Sequence, residues 1–185
     1  PDHREAAGGY FGEPVAAASI AQVHRARLHD GRTMAVKVLR PGVRERFQRD
    51  LDAMRFAAEQ AEKRSAEARR LRMVEVVETL ARSVTVEMDL RLEAAALSEF
   101  AENTREDNDF RVPAPDWERT ARDVLVVEWV DGLRLSDIAG MRAAGHDLEA
   151  LGRNVIQSFL KHAIRDGFFH ADMHQGNLFI DAQGR

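Results

Sequence analysis

The stretch "FFHADMHQGNLFI", residues 168–180, decides how this chain is read. It sets His170, Asp172, His174 and Asn177 close together and fences them with apolar runs. In an extended segment His170, Asp172 and His174 alternate onto one face, an arrangement that suits zinc or iron. A polar turn in which His170 satisfies backbone groups is the plainest alternative. A third reading rests on spacing, because Asn177 follows Asp172 by five positions. Phosphoryl-transfer loops use that interval: the aspartate receives the proton of an attacking hydroxyl, and the asparagine holds magnesium on the phosphates. The stretch by itself leaves all three open.

Composition narrows the classes. Over 185 residues the chain is 44% hydrophobic and 31% charged, which is the make-up of a soluble globular protein. A net charge of -4 with both signs interspersed gives no nucleic-acid footprint. Cysteine is absent, so disulfides, thiolate nucleophiles and cysteine-based zinc sites are excluded together, and a reducing, cytoplasmic setting is compatible. The longest apolar runs, such as "VLVV" at 124–127, fall far short of the roughly 18–20 residues of a spanning helix. The chain starts at Pro1 without a methionine and stops at "DAQGR", which predicts an excerpt of a longer protein.

Working outward, residues 14–39 read as strand, turn, strand. Val23, Ala26 and Leu28 lead to Asp30-Gly31, a strong hairpin signal, and Met34, Val36 and Val38 then alternate with Ala35, Lys37 and Leu39. The alternation sets Lys37 on the face opposite Met34, Val36 and Val38. After Pro41-Gly42 the period becomes helical, with a stripe of Phe47, Leu51, Met54 and Ala58 in a helix predicted to about Arg70. A second helix is predicted through Val77, Leu80, Val84, Met88, Leu92 and Ala95 to about Phe100. Residues 102–109, "ENTREDND", read as a polar connector, 112–115 as extended, and "DVLVVEWVDG" as a short buried strand. Ser136 is the expected cap of a short helix. Leu151, Val155, Phe159, Leu160 and Ala163 mark a longer one over 148–166, stopped by Gly167. That order predicts a small sheet-rich lobe joined near 130–132 to a helical lobe, with a cleft between them.

Lys37 supplies an independent test of the opening stretch. "MAVKV" matches the V-A-I-K pattern, in which a strand lysine meets the α and β phosphates; an ordinary exposed strand lysine is the alternative. Such a lysine needs a helical carboxylate, and "EMDLRLEAAALSEF" offers Glu87, Asp89 and Glu93. Asp89 and Glu93 stand four apart and repel by about 0.2–0.5 kcal/mol unless a cation relieves them. Glu87 has Arg91 at the same spacing as a ready partner, so Glu93 is the expected partner of Lys37. In the loop before the lysine, "AAASIAQV" places Ala16, Ala18 and Ala21 where a glycine-rich loop has glycines, with Val23 at the following valine. Each added Cβ disfavours positive φ and takes up room above a phosphate.

With these motifs together the chain resembles the UbiB/AarF/ADCK family of atypical protein-kinase-like proteins. The resemblance runs from "PVAAASIAQVHRARL" through "MAVKVLRPG", "EMDLRLEAAALSEF" and "VEWVDG" to "FFHADMHQGN". It implies an α+β, protein-kinase-like two-lobed fold: a small β-sheet lobe with extra helices over 1–130, and a truncated helical lobe with the catalytic loop over 131–185. It implies a kinase or ATPase that binds ATP or ADP with magnesium and supports ubiquinone or related isoprenoid-lipid biosynthesis. It also implies peripheral association with the inner face of the cell membrane, with isoprenoid lipid or quinone-biosynthesis proteins as partners. Carried onto this chain, Asp172, Lys37 and Glu93 are catalytic, and Asn177 is a metal ligand. Ala16, Ala18, Ala21, Val23, Lys37 and the hinge Glu128, Trp129 and Val130 hold nucleotide. Glu87 and Asp89 form the E-x-D motif. The family's K-x-G-Q segment is expected before this sequence and its D-F-G aspartate after it, so the excerpt alone is expected to be inactive. Asp181, set in a turn with Gly184, is a poor substitute. Two rivals stand beside this reading: a small-molecule phosphotransferase similar to aminoglycoside or choline kinases, and a nucleotide- or lipid-binding pseudokinase that acts as a chaperone.

Overall fold

The alternation around Asp30-Gly31 folds as paired antiparallel strands. The structure is a computed structural model and describes residues 9–17, 20–168 and 175–185. Strands β1 (Gly9–Ala17), β2 (Ala21–Leu28) and β3 (Thr33–Leu39) form a sheet with β4 (Val124–Glu128) in the order β1-β2-β3-β4. The β2–β3 turn places Gly31 at φ 90, and Asp30 accepts from the Arg32 backbone N–H, so the hairpin forms where it is predicted. Strand β1 lacks a clean alternation in the sequence because Pro14 sits in it. It lies at the sheet edge, where a missing N–H is tolerated, and its register shifts on both sides of Pro14. One sheet face carries Ala26, Leu28, Met34, Val36 and Val126, a buried core flanked by Val38 and Val124.

The helical region departs from the expected continuous helices at two capped breaks. The first predicted helix is two, α1 (Val43–Arg64) and α2 (Ala66–Leu71), because Ser65 turns extended and its Oγ accepts from Ala68 N. The second is also two, α3 (Met73–Glu87) and α4 (Leu90–Asn103). At that break Asp89 caps α4 by accepting from Arg91 N at 3.2 Å. The cap resets the helical phase. Leu90 and Ala94 turn inward and are buried, while Leu92 and Ala95, the expected continuation of the stripe, are exposed. Helices α1 and α3 pack through Leu51, Ala58 and Val77, with Met54 and Leu80 left at the exposed margin.

By internal packing the chain divides into two compact units, Pro1–Ala94 with Trp117–Val126, and Ala95–Asp116 with Val127–Arg185. In the second, β5 (Leu133–Arg134) pairs with β6 (Phe179–Ile180), so the last residues of the opening stretch are tied to those that follow β4. Helix α5 (Ile138–Ala143) is capped by Asp137, which accepts from Gly140 N at 2.8 Å, and not by Ser136. Helix α6 (Leu148–Lys161), capped by Asp147, continues into one wide π-helical turn, His162–Asp166, that ends at Gly167 with φ 63. The buried positions of that stretch are Leu151, Ser158 and His162, and Leu160 is exposed. Phe168 follows outside any strand, and Phe169 lies outside the described residues. Met141, Leu151 and Ile180 form the core beneath β5 and β6.

Gly132 makes the β5–β6 pairing possible. A Cβ there would stand 2.8 Å from the Ile180 carbonyl oxygen and 3.3 Å from Phe179 Cβ. Gly132→Ala is expected to cost about 1–3 kcal/mol by forcing that backbone contact apart. Urea unfolding of parent and variant checks this, and equal midpoints would show that the pairing yields freely.

Candidate functional site

Lys37 owes its position to strand register. Across the sheet Ala16 pairs with Val23 and Val23 with Lys37, so the three side chains form one row on one face. Met34, Val36 and Val38 take the other face, toward the buried core. Within the row Ala16 is exposed and Val23 half-buried, so the neighbours of Lys37 on the β2 side are short. Ala21, next to the row, is buried against the strand's end, where it pairs with Leu39.

Of the three acids, Glu93 is the one that Lys37 meets. Lys37 Nζ donates to both carboxylate oxygens, at 2.9 and 2.7 Å, across 56 positions of sequence. The pair is only partly sheltered, with side-chain exposures of 30% and 43%. Glu93 is in the first turn of α4, where the helix dipole favours a negative charge. Ala94 beside it is wholly buried, as close approach of helix and sheet requires.

Arg91 pairs with Asp89 and not with Glu87, against expectation. Its guanidinium donates to both Asp89 oxygens, at 2.9 and 2.6 Å, while Asp89 also caps the helix. The cap and the fork compete for Arg91 more effectively than a carboxylate one turn earlier, because Glu87 closes α3 on the far side of the break. That break is fastened from outside. Arg44 donates to Met88 O and to Asp123, and Leu90 N donates to Arg122 O at 2.9 Å. The E-x-D motif thus spans two helix ends, with Glu87 as the last residue of α3 and Asp89 as the cap of α4.

In the second unit, Glu128 N donates to Ala114 O at 2.9 Å and the Glu128 carboxylate binds Arg111. Trp129 Nε1 donates to Asp131 at 2.9 Å, and Trp129 and Val130 are half-buried. Asn177 is exposed in the turn before β6. Ala18, His170, Asp172 and His174 lie outside the described residues. Among those described, no group of three or more acidic or histidine side chains forms a metal site, and no helix is long and apolar enough to cross a membrane. Asp181 is engaged locally, accepting from Gln183 N and Arg185 N.

Sequence reasoning missed Asp107, taken as part of a polar connector. Its side chain is 2% exposed and accepts from Lys161, from His162 at 3.1 Å and from Arg165 at 2.9 and 3.1 Å. The Arg165 guanidinium, helped by Lys161 and His162 and opposed by burial, holds its carboxyl well below the usual carboxylate range. The sequence signal was the run of Lys161, His162 and Arg165 on one side of a helix end, which needs an anion if any member is buried.

Comparison with known proteins places these features in a group. Residues 10–185 match the ABC1 atypical kinase-like domain. The chain is similar to the "Probable protein kinase UbiB" of Marinobacter nauticus, 39% identical over 169 residues, which cover 91% of this chain and 31% of that protein. The protein of the same name from Azotobacter vinelandii is 38% identical over 179 residues, 97% of this chain and 33% of its own. The chain therefore spans about a third of the length of these relatives. Among solved structures, the complex of Rv3197 with erythromycin from Mycobacterium tuberculosis superposes with a TM-score of 0.75 at 31% identity, covering 100% of this chain and 46% of that one.

The Asp89 contacts predict a pH dependence. Arg91 holds the Asp89 carboxyl down at about 2, from an ordinary 3.8. A depressed carboxyl contributes stability above its ordinary value, and the contribution is lost as pH falls through the folded value. Thermal melts between about pH 5 and pH 2 are expected to fall less steeply for Asp89→Asn than for the parent. Parallel curves would show that the cap carries no such linkage.

Proposed function

This chain belongs to the ABC1 atypical kinase-like family, and we propose that the protein it comes from is a magnesium-dependent ATP-utilising enzyme of the UbiB type. The observation that carries the proposal is the Lys37–Glu93 pair, set on the sheet face that it shares with Ala16 and Val23. A strand ammonium oriented by a helix carboxylate, with small neighbours in its row, suits the α and β phosphates of a nucleotide. Glu93 holds the ammonium on that face before a ligand arrives and, as a half-exposed partner, gives it up at little cost.

The remaining roles follow the family pattern. Residues 1–130 form the nucleotide-covering lobe and 131–185 the start of the catalytic one. Glu128, Trp129 and Val130 are assigned to the adenine, and Ala16, Ala18, Ala21 and Val23 to the phosphates. Asn177 offers a hard amide oxygen, which suits magnesium, and Glu87 and Asp89 supply the E-x-D carboxylates. Magnesium, when bound, neutralises charge on the transferring phosphoryl group. Asp172 accepts the proton of the attacking oxygen. The reaction class is ATP hydrolysis or phosphorylation of a small molecule, in support of ubiquinone or related isoprenoid-lipid biosynthesis, at the inner face of the cell membrane. Binding without turnover is the second reading. It is favoured by the similar fold of the Mycobacterium tuberculosis protein, solved with erythromycin.

Two measurements on the intact protein test the proposal. Asp172→Asn is expected to abolish ATP turnover while nucleotide affinity changes less than about threefold, because the carboxylate acts on the attacking oxygen and not on adenine. Turnover unchanged by this substitution would remove the catalytic role of Asp172, and an intact protein without turnover would leave the binding reading in its place. Ala18→Gly is expected to tighten ATP binding and raise autophosphorylation, a gain from removing atoms that damage does not explain. ATP and ADP titrations with labelled phosphate decide it, and equal affinities with equal labelling would reduce the alanine loop to a packed strand turn.

A further inference from the structure

The buried acid of the second unit sits where it can act on the opening motif without touching substrate. Asp107 comes from the connector after α4, and the three side chains that donate to it come from the last residue of α6 and the π-helical turn that follows. The turn is fastened on several sides. Arg165 donates to Asp107, to both Asp166 oxygens at 2.5 and 2.7 Å, and to Asn103 O at 3.0 Å. The His162 ring, 1% exposed, stands edge-on to Phe100 at 5.1 Å and to Phe110 at 4.9 Å. Phe168, two positions past the turn, packs on Phe100 at 6.1 Å. One turn earlier Ser158 donates to Asp109 at 3.4 Å, so the connector is gripped twice.

This is more fastening than a helix end needs. The turn's hydrogen bonds run at the wide π spacing, which is rare and occurs mostly as single turns within α-helices. Gly167 then reverses the chain with a left-handed φ of 63, and residues 169–174 follow directly after Phe168. The π turn that leads to Phe168, the last residue described before that segment, is held by Asp107 through Lys161, His162 and Arg165. A carboxylate is required for this: an amide in its place carries no charge to balance Lys161 and Arg165, and it keeps only one of the two acceptor oxygens that they and His162 share.

We propose that Asp107 is a positioning residue that fixes the launch point of the segment carrying Asp172, acting through His162 and Arg165 and not on any ligand. The inference rests on the functional reading of Asp172 given above, and its test separates the two. Asp107→Asn is made in the intact protein, beside Leu148→Ala as a destabilised control that packs on the Met141 and Leu151 core. Each is studied at a temperature where circular dichroism shows it folded. Hydrogen exchange across 168–180 is expected to be at least tenfold faster in Asp107→Asn than in the control. ATP turnover is expected to fall at least tenfold, with ATP affinity, measured by titration, within about twofold of the parent. Exchange no faster than in the control overturns the proposal, as does unchanged turnover, or turnover and affinity falling together. If the parent itself shows no turnover, the functional reading of Asp172 fails and the exchange measurement alone decides the positioning. If Asp107→Asn does not fold, Lys161→Met and Arg165→Met take its place. Their side chains are 41% and 40% exposed, so each removes one arm of the cluster at the surface.

Discussion

The position at which α4 starts governs the half of the molecule that contains Lys37. At 100° per residue, a helix continuing unbroken from Val77 would aim Leu92 and Ala95 inward and turn Glu93 away from the stripe. The stop at Met88 and the new cap at Asp89 shift that phase, so Leu90 and Ala94 are buried and Glu93 flanks the contact. The cap itself is worth about 1 kcal/mol. Its leverage comes from Arg44 and Arg122 O, which hold the two helix ends in place from outside. Lys37 then finds its carboxylate because of where a helix begins, far from it in sequence.

The ion pair so formed contributes little to the fold. With both side chains partly in water, its net worth is about 0–1 kcal/mol. A pair that weak opens at little cost and without dismantling the sheet. An arrangement that is geometrically specific and energetically cheap suits a group meant to change partners.

How much of this could be read in advance depends on how local the deciding physics is. Asp30-Gly31, the alternation around Lys37 and the stop at Gly167 are set by φ preference and period two, and the structure has each as expected. The pairing of Lys37 with Glu93 was legible from charge spacing and the neighbouring alanines. The breaks at Ser65 and Met88 were not, because apolar spacing continues through both and only a side-chain cap distinguishes them. Strand β1 was hidden by Pro14, whose tolerance depends on an edge position that only the whole sheet defines. Asp107 was least legible. In "ENTREDND" it looks like its exposed neighbours, and its burial is decided by cations more than fifty positions later.

Asp107 and Glu93 hold cations by opposite physics. Glu93 faces one flexible ammonium in partial water and can release it. Asp107 is enclosed, so its charge is tolerable only while Lys161, His162 and Arg165 all stay in place, and each is committed in return. Arginine at 165 is what the geometry demands. Its planar fork reaches Asp107, Asp166 and Asn103 O together, three directions that a lysine's single charge centre cannot serve at once. The turn that precedes the opening motif is therefore built to stay still, whereas the pair at the sheet is built to yield.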